Sequence, residues 1–574
     1  MGAPMGVPMK APPMRPALRT PYPVGPSVND ETRRDPTKPD ETQPLPRNMT
    51  PTLPPHVSAA RFAQALAAFG AIVGANQVST TAAELARYAD PFAPGDGERA
   101  FTASAVLTPA SVDEVRAVLR VANEYGVPLW TVSTGRNYGY GGAAPRLAGS
   151  VVLDLQRMNR ILEVNEPLGY ALVEPGVSYF DLYQHLRTHG YRLWTDPPAA
   201  GWGSVMGNTL ERGFGYTPYG DHAATQCGME VVLANGDVVR TGMGGIDTGT
   251  AWQLYRYGYG PQFDPLFMQS NYGIVTKLGV WLMPAPPAYW IVEVQFPRED
   301  DLAPLVETLR PLQLAGTIGQ HAVIEGAIRR AAGLSPREHW YDGPGAMPES
   351  VVASMTKQLG VGRWNLHFGL YGEPEVMAAQ YRIVERAFAS VRDARFIVTK
   401  YSGDEQPTAG GARNRAGIPA MSAFRMLDWR GGTGAHVDFS PLCPATGGDA
   451  MRQYTLVKTR AAEYGFDYYG GFTAGGRHLH HIFSGIFPSG DALLTQQASD
   501  LMRALMSDAR AAGYGVYRSH LAWMDFAAAQ YSFNDGALLR LAETIKDALD
   551  PQGVLSPGKQ GVWPRAWRGA RGYT

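Results

Sequence analysis

Cysteine is almost absent, with Cys227 and Cys443 the two in 574 residues. Two thiols cannot build a disulfide framework or a cysteine metal site, so both read as small apolar side chains. Net charge is nearly absent too, at −1 with 18% charged residues. That excludes bulk electrostatic binding to nucleic acid or to an anionic membrane surface. No apolar run approaches the roughly 20 residues of a membrane span. The first 55 residues are rich in proline and poor in large aliphatics. Such a stretch cannot bury enough apolar surface to offset its ordering entropy, so it reads as a disordered or extended arm. It also lacks the apolar segment of a secretory signal. Arg33-Arg34 has no apolar stretch behind it. The expected location is therefore cytoplasmic or otherwise soluble and intracellular.

What is present is a globular composition, 45% hydrophobic, in a chain too long for one core. The most informative stretch is Ser133-Thr-Gly-Arg-Asn-Tyr-Gly-Tyr-Gly-Gly-Ala-Ala-Pro145, between two strand-like runs at 127–132 and 151–155. Four glycines let backbone N–H groups approach an anion closely, and Arg136 adds charge. Tyr138 and Tyr140 are bulkier than a phosphate cradle needs. Gly139-Tyr-Gly141-Gly-Ala-Ala144 also fits the dinucleotide pattern, but that pattern requires a helix to begin inside it. Pro145, Gly149 and a following strand set the reading aside.

Periodicity predicts a helix over 57–73, with Phe62, Leu66 and Phe69 on its apolar face. Ser111-Val-Asp-Glu114 predicts a capping box, and the helix behind it should stop at Gly126. Strands are expected at 161–165, 170–174, 274–283 and 290–296, and helices at 181–189, 501–512 and 538–549. Asn235-Gly236 joins two apolar runs within 229–241 as a hairpin. Pro284-Ala-Pro-Pro287 marks a boundary. Strands and helices interleave without regular alternation, which fits α+β rather than a doubly wound sheet.

Several blocks occur in the order of one family. They are the glycine loop, Gly203-Ser-Val-Met-Gly-Asn208, Glu211-Arg-Gly-Phe-Gly-Tyr-Thr-Pro-Tyr-Gly-Asp221 and Met229-Glu-Val-Val-Leu-Ala-Asn-Gly236. Ser270-Asn-Tyr-Gly-Ile-Val-Thr-Lys277, Gly434-Ala-His-Val-Asp-Phe-Ser-Pro441, Tyr517-Arg-Ser-His520 and Pro557-Gly-Lys-Gln-Gly-Val-Trp-Pro564 follow. From about residue 101 to 563 the chain resembles the vanillyl-alcohol oxidase and p-cresol methylhydroxylase flavoproteins. The resemblance implies a split FAD-binding domain of that fold with an α+β substrate cap. The first part would span 56–285, the cap 286–500, and 501–574 would complete the FAD domain.

It also implies residue roles. Ser133, Thr134, Gly135, Arg136, Asn137, Tyr138, Gly139, Gly203, Ser204, Gly207, Asn208, Gly215, Ile274, Val275, Arg518 and Lys559 would hold FAD. His436 would bond covalently to the flavin 8α carbon, making the ring easier to reduce. Read alone, His436 on its alternating strand would be an ordinary, partly buried histidine. Tyr140, Tyr517 and Arg518 match a phenol-binding trio, and Tyr216 another active-site tyrosine. A free phenol has a pKa of about 10, and a guanidinium with two tyrosine hydroxyls would favour its phenolate. Hydride could then leave the para benzylic carbon for flavin N5, giving a p-quinone methide.

The implied substrate is a para-substituted phenol, and the acceptor is dioxygen or a cytochrome. A cytochrome-coupled flavin subunit and a hydroxy-acid or sugar oxidase are the competing readings. A homodimer or larger assembly is expected, with no nucleic acid or membrane partner. Three positions depart from the family. Ala93 stands where some oxidases carry a helper histidine for flavin attachment, Ala199 where an oxidase segment ends in an aspartate beside flavin N5, and Gly471 where some hydroxylases instead place an acid across the pocket. Two small residues there would leave room for a bulkier substituent. Asp196 either substitutes for the missing carboxylate or caps the turn that follows it. His478 and His480 share a strand face, but no third ligand lies near, so no metal is assigned.

Overall fold

The computed structural model describes residues 52–93, 101–408 and 410–572. The arm up to residue 51, including Arg33-Arg34, and residues 94–96 after Ala93 lie outside them. The first core forms where two amphipathic helices cover a small sheet. Helix Ala59–Val73 is capped by the Ser58 hydroxyl, and Phe62 and Phe69 are buried beneath it. Helix Val112–Tyr125 ends at Gly126, whose left-handed φ of 69° closes it. Its start differs from the expected capping box. Ser111 accepts from the Glu114 N–H, but the Glu114 carboxylate accepts from Ala110 N instead of Ser111 N.

Both helices share a core with a four-stranded sheet that includes the parallel neighbours Leu129–Val132 and Val151–Asp154. The glycine loop connects these two strands, and no helix begins within it. A five-stranded antiparallel sheet follows. It contains Tyr170–Val173, Ile274–Trp281 and the hairpin Gln226–Val232 with Val238–Arg240.

The largest core lies on an eight-stranded sheet built from strands between Ala288–Phe296 and His478–Pro488. Helices Leu302–Leu314, Pro374–Phe388, Gly447–Glu463 and Ala492–Ala511 contribute to it. The last segment then returns to the first core. Val554 and Leu555 are buried there, and Leu555 bridges Leu129. Lys546, fully buried, pairs with Asp550 at 2.8 Å and donates to the Asn271 and Leu555 carbonyls. The return thus places Arg518 and Lys559 beside the glycine loop at residues 133–145. Among the described residues, no helix is long and apolar enough to cross a membrane.

Candidate active site

The glycine loop forms one wall of a deep cleft. Gly135, Gly139, Gly141 and Gly142 all have positive φ, which side chains rarely adopt. At Gly139 the reason is contact as well as conformation. A Cβ there would lie 2.5 Å from His436 Cε1 and 2.7 Å from Asp438 Oδ2.

Ser133 to Asn137, Tyr140, Gly203, Ser204, Gly207, Asn208, Ile274, Val275, Arg518 and Lys559 line the cleft together. Gly207 must be small, because a Cβ would approach Ser133 Oγ to 2.5 Å. Arg136 stacks on Trp202 at 5.3 Å and donates to its carbonyl. Lys559 pairs with Glu211 at 2.6 Å across the cleft. Burial opposes charge on Glu211, but Lys559 outweighs it and holds the carboxyl below its usual range. Thr131, Ser270 and Asn271 also line the cleft, and each has a buried polar oxygen without a hydrogen-bond partner. A glycine-lined groove with cations and unmet oxygens fits a long, polar cofactor bearing phosphates.

At one end of the cleft the lining changes from backbone to side chains. Arg518 lies 4.9 Å from the Tyr140 ring and 5.8 Å from the Tyr517 ring. The Tyr140 hydroxyl is 3.1 Å from Ser440 Oγ. Burial raises the pKa of both tyrosines, against the pull of Arg518, so both keep their protons and can donate. Burial disfavours charge on Arg518, but Glu211 opposes it and the guanidinium stays protonated beside the two neutral tyrosines. The Tyr517 ring stacks on His480 at 4.7 Å, and His480 on Phe214 at 5.3 Å. Among the described residues, no group of three or more His, Cys, Asp or Glu could hold a metal ion.

The remaining candidates lie near this end but outside the cleft lining. His436 is buried on strand Gly434–Phe439 against Phe92, with ring centres 5.1 Å apart. Tyr138 packs among Phe92, Trp202 and Phe424. Tyr216 sits under Arg415 at 5.5 Å. Burial raises its pKa, while Arg329 and Arg415 pull the other way. Gly215 packs on Asp196, where a Cβ would clash with the carboxylate.

Two expectations about the missing carboxylates need correction. Asp196 is a cap, but not of its own turn. It accepts from Tyr216 N and Thr217 N at 2.9 Å each, and from the Thr217 hydroxyl, twenty residues downstream. Gly471 opens no room for substrate. It lies in strand Gly470–Ala474, and a Cβ there would meet the Ile324 carbonyl at 2.2 Å. The neighbouring strand fills that space.

The sequence reading missed Asp438, Ser484 and Glu211. Asp438 stands two residues after His436 on an alternating strand, so the shared face was legible. Ser484 joins through a strand register that the sequence does not reveal.

The fold and cleft together define an FAD-linked oxidoreductase. Residues 103–242 match the FAD binding domain family, and residues 364–560 match the C-terminal domain of FAD-linked oxidases. The chain belongs to the vanillyl-alcohol oxidase and p-cresol methylhydroxylase family. It is 38% identical over 514 residues to the flavoprotein subunit of 4-cresol dehydrogenase (hydroxylating) from Pseudomonas putida, covering 89% of this chain and 97% of that one. The 4-ethylphenol oxidase of Gulosibacter chungangensis, solved with isoeugenol, superposes with a TM-score of 0.86 at 40% identity, covering 90% of this chain and all of that one. Substrate-bound p-cresol methylhydroxylase gives a TM-score of 0.85 at 36% identity, over 89% and 99% of the two chains.

Proposed function

We propose that this protein oxidises para-substituted phenols, and that Tyr140, Tyr517 and Arg518 hold the substrate as its phenolate. The observation that carries the reading is a half-buried guanidinium set against two protonated tyrosines at the end of the cofactor cleft. Bound FAD supplies the acceptor for a hydride. The protein's part is to set the phenol oxygen against one guanidinium and two hydroxyl donors, whose charge and hydrogen bonds favour loss of the phenolic proton. Electron density then moves through the ring toward the para carbon and weakens its benzylic C–H bond. Water adds to the resulting quinone methide of the substrate, or an existing hydroxyl collapses to a carbonyl. Tyr216 is assigned to the substituent side of the ring.

The residues named for FAD keep those roles in this proposal, with Gly215 acting indirectly by making room for Asp196. His436 is the proposed covalent link. The division into 56–285, 286–500 and 501–574 also remains a proposal, with helix Ala492–Ala511 packing on the cap side of the boundary at 500. A homodimer or larger assembly is likewise proposed. Dioxygen or a cytochrome takes the electrons. The named Pseudomonas relative is a flavoprotein subunit, which supports the cytochrome, whereas the Gulosibacter relative is an oxidase.

Steady-state assays with 4-alkylphenols separate these cases. Rapid hydrogen peroxide release identifies an oxidase, and fast dye reduction with slow oxygen use identifies a dehydrogenase. Hydroxy acids or sugars turning over in place of phenols would overturn the proposal.

A further inference from the structure

We propose that Asp438 positions His436 and takes its proton during covalent attachment of the flavin, an inference that rests on the attachment reading above. The two residues alternate on strand Gly434–Phe439 and share a face. Asp438 Oδ1 lies 3.1 Å from His436 Nδ1 and accepts from Ser484 Oγ at 2.5 Å. Ser484 is the register partner of Asp438 on the neighbouring strand, so the carboxylate is held from across the sheet.

A carboxylate only accepts, which requires Nδ1 to carry the imidazole proton. The lone pair is then on Nε2, the atom free to attack carbon. The ring is fixed on other sides as well. Phe92 packs 5.1 Å away, and the Cα of Gly139 occupies ground where any Cβ would strike the imidazole. Segment 90–93 therefore offers His436 an aromatic contact through Phe92, and Ala93 supplies no base. The strand itself supplies one.

In the step proposed, a bond forms between His436 Nε2 and the flavin 8α carbon. One C–H bond at that carbon and the Nδ1–H bond break, and the proton from the C–H bond leaves to solvent. The imidazole proton passes to Asp438, and two electrons remain on the flavin. The acceptor that serves turnover, dioxygen or an electron-transfer protein, removes them. Burial makes an imidazolium without a counter-charge costly, so a carboxylate at Nδ1 lowers the barrier.

The test uses apoprotein of the full chain mixed with FAD. Flavin retained on the polypeptide after acid denaturation is followed over time, and noncovalent uptake is followed separately by fluorescence. Wild type should attach the flavin and His436→Ala should not. Asp438→Asn still accepts a hydrogen bond but is a far weaker base, and should attach about a hundredfold more slowly while still taking up FAD. Asp438→Ala should be slower again. Wild-type rates in both variants would overturn the role of Asp438 and leave attachment at His436 intact. A wild type that loses all flavin on denaturation, or His436→Ala retaining it, would overturn the attachment reading and this inference with it. If neither Asp438 variant takes up FAD, Ser484→Ala decides. It frees the carboxylate from its support, so slower attachment supports the proposal and an unchanged rate contradicts it.

Discussion

The two ends of the cleft are built on opposite principles. The cofactor end is defined by what is missing: side chains at Gly135, Gly142 and Gly207, and partners for the oxygens of Thr131, Ser270 and Asn271. The substrate end is defined by what is packed in: Tyr140, Tyr517, Arg518 and Ser440, brought from three distant segments. The first recognises a shape through its backbone. The second changes the charge state of a small molecule. Adding atoms should therefore damage one end, and removing charge the other.

The largest effect is expected at the substrate end. Arg518→Ala removes the one full charge at the proposed phenol oxygen and should lower kcat/KM for 4-alkylphenols by about a hundredfold to a thousandfold. Stopped-flow reduction and steady-state kinetics measure it. A loss of less than tenfold would place the phenolate elsewhere.

The next effect is a response to acid. His481, fully buried, accepts or donates at 2.8 Å with Tyr468, and burial pulls its pKa down to about 3. Above the unfolded-state value of about 6.5 the ring is neutral in both states, so stability is at its full level. As pH falls from there toward 3, the unfolded chain takes up a proton that the folded chain refuses. His481 should thus remove about 2 kcal/mol of stability between pH 7 and 5. Denaturant unfolding at several pH values should show the slope, and His481→Gln should flatten it.

Asp196 offers a comparable loss by a different route. Asp196→Asn cannot satisfy Tyr216 N, Thr217 N and the Thr217 hydroxyl together, and should cost about 2 kcal/mol. If Asp196 were instead the water-directing base, turnover would collapse with stability unchanged. On the glycine loop, Gly139→Ala tests the opposite operation. It forces a Cβ into a φ of 78° and against His436, and should cost about 1–2 kcal/mol together with part of the covalent flavin. An unchanged melting temperature and full attachment would show that the loop can move aside.

The same division explains what could be read from the sequence. Glycines, caps and turn pairs act locally, so the helices at 59 and 112, the hairpin at Asn235-Gly236 and the glycine loop were legible as elements. The loop's rejection as a dinucleotide turn followed from Pro145 and the next strand. The substrate end depends on a chain return and on strand register. Nothing local to Tyr517-Arg518 says that Tyr140 lies beside it, and only the resemblance to a family brought them together. Asp438 is an intermediate case, because strand alternation put it on the face of His436 but only the sheet places Ser484 opposite. The supposed roominess at Gly471 failed for the same reason. Its neighbour Ile324 is 147 positions away, and the register that brings its carbonyl to 2.2 Å is a property of the folded sheet.

The central claim is that Tyr140, Tyr517 and Arg518 make a phenolate from which hydride can leave. Anaerobic mixing of the FAD-loaded protein with 4-ethylphenol, vanillyl alcohol and eugenol tests it most directly. The account predicts that at least one of these bleaches the visible flavin absorbance in wild type, and that Arg518→Ala slows the bleaching severely. A wild-type flavin that stays oxidised with all three substrates would contradict it.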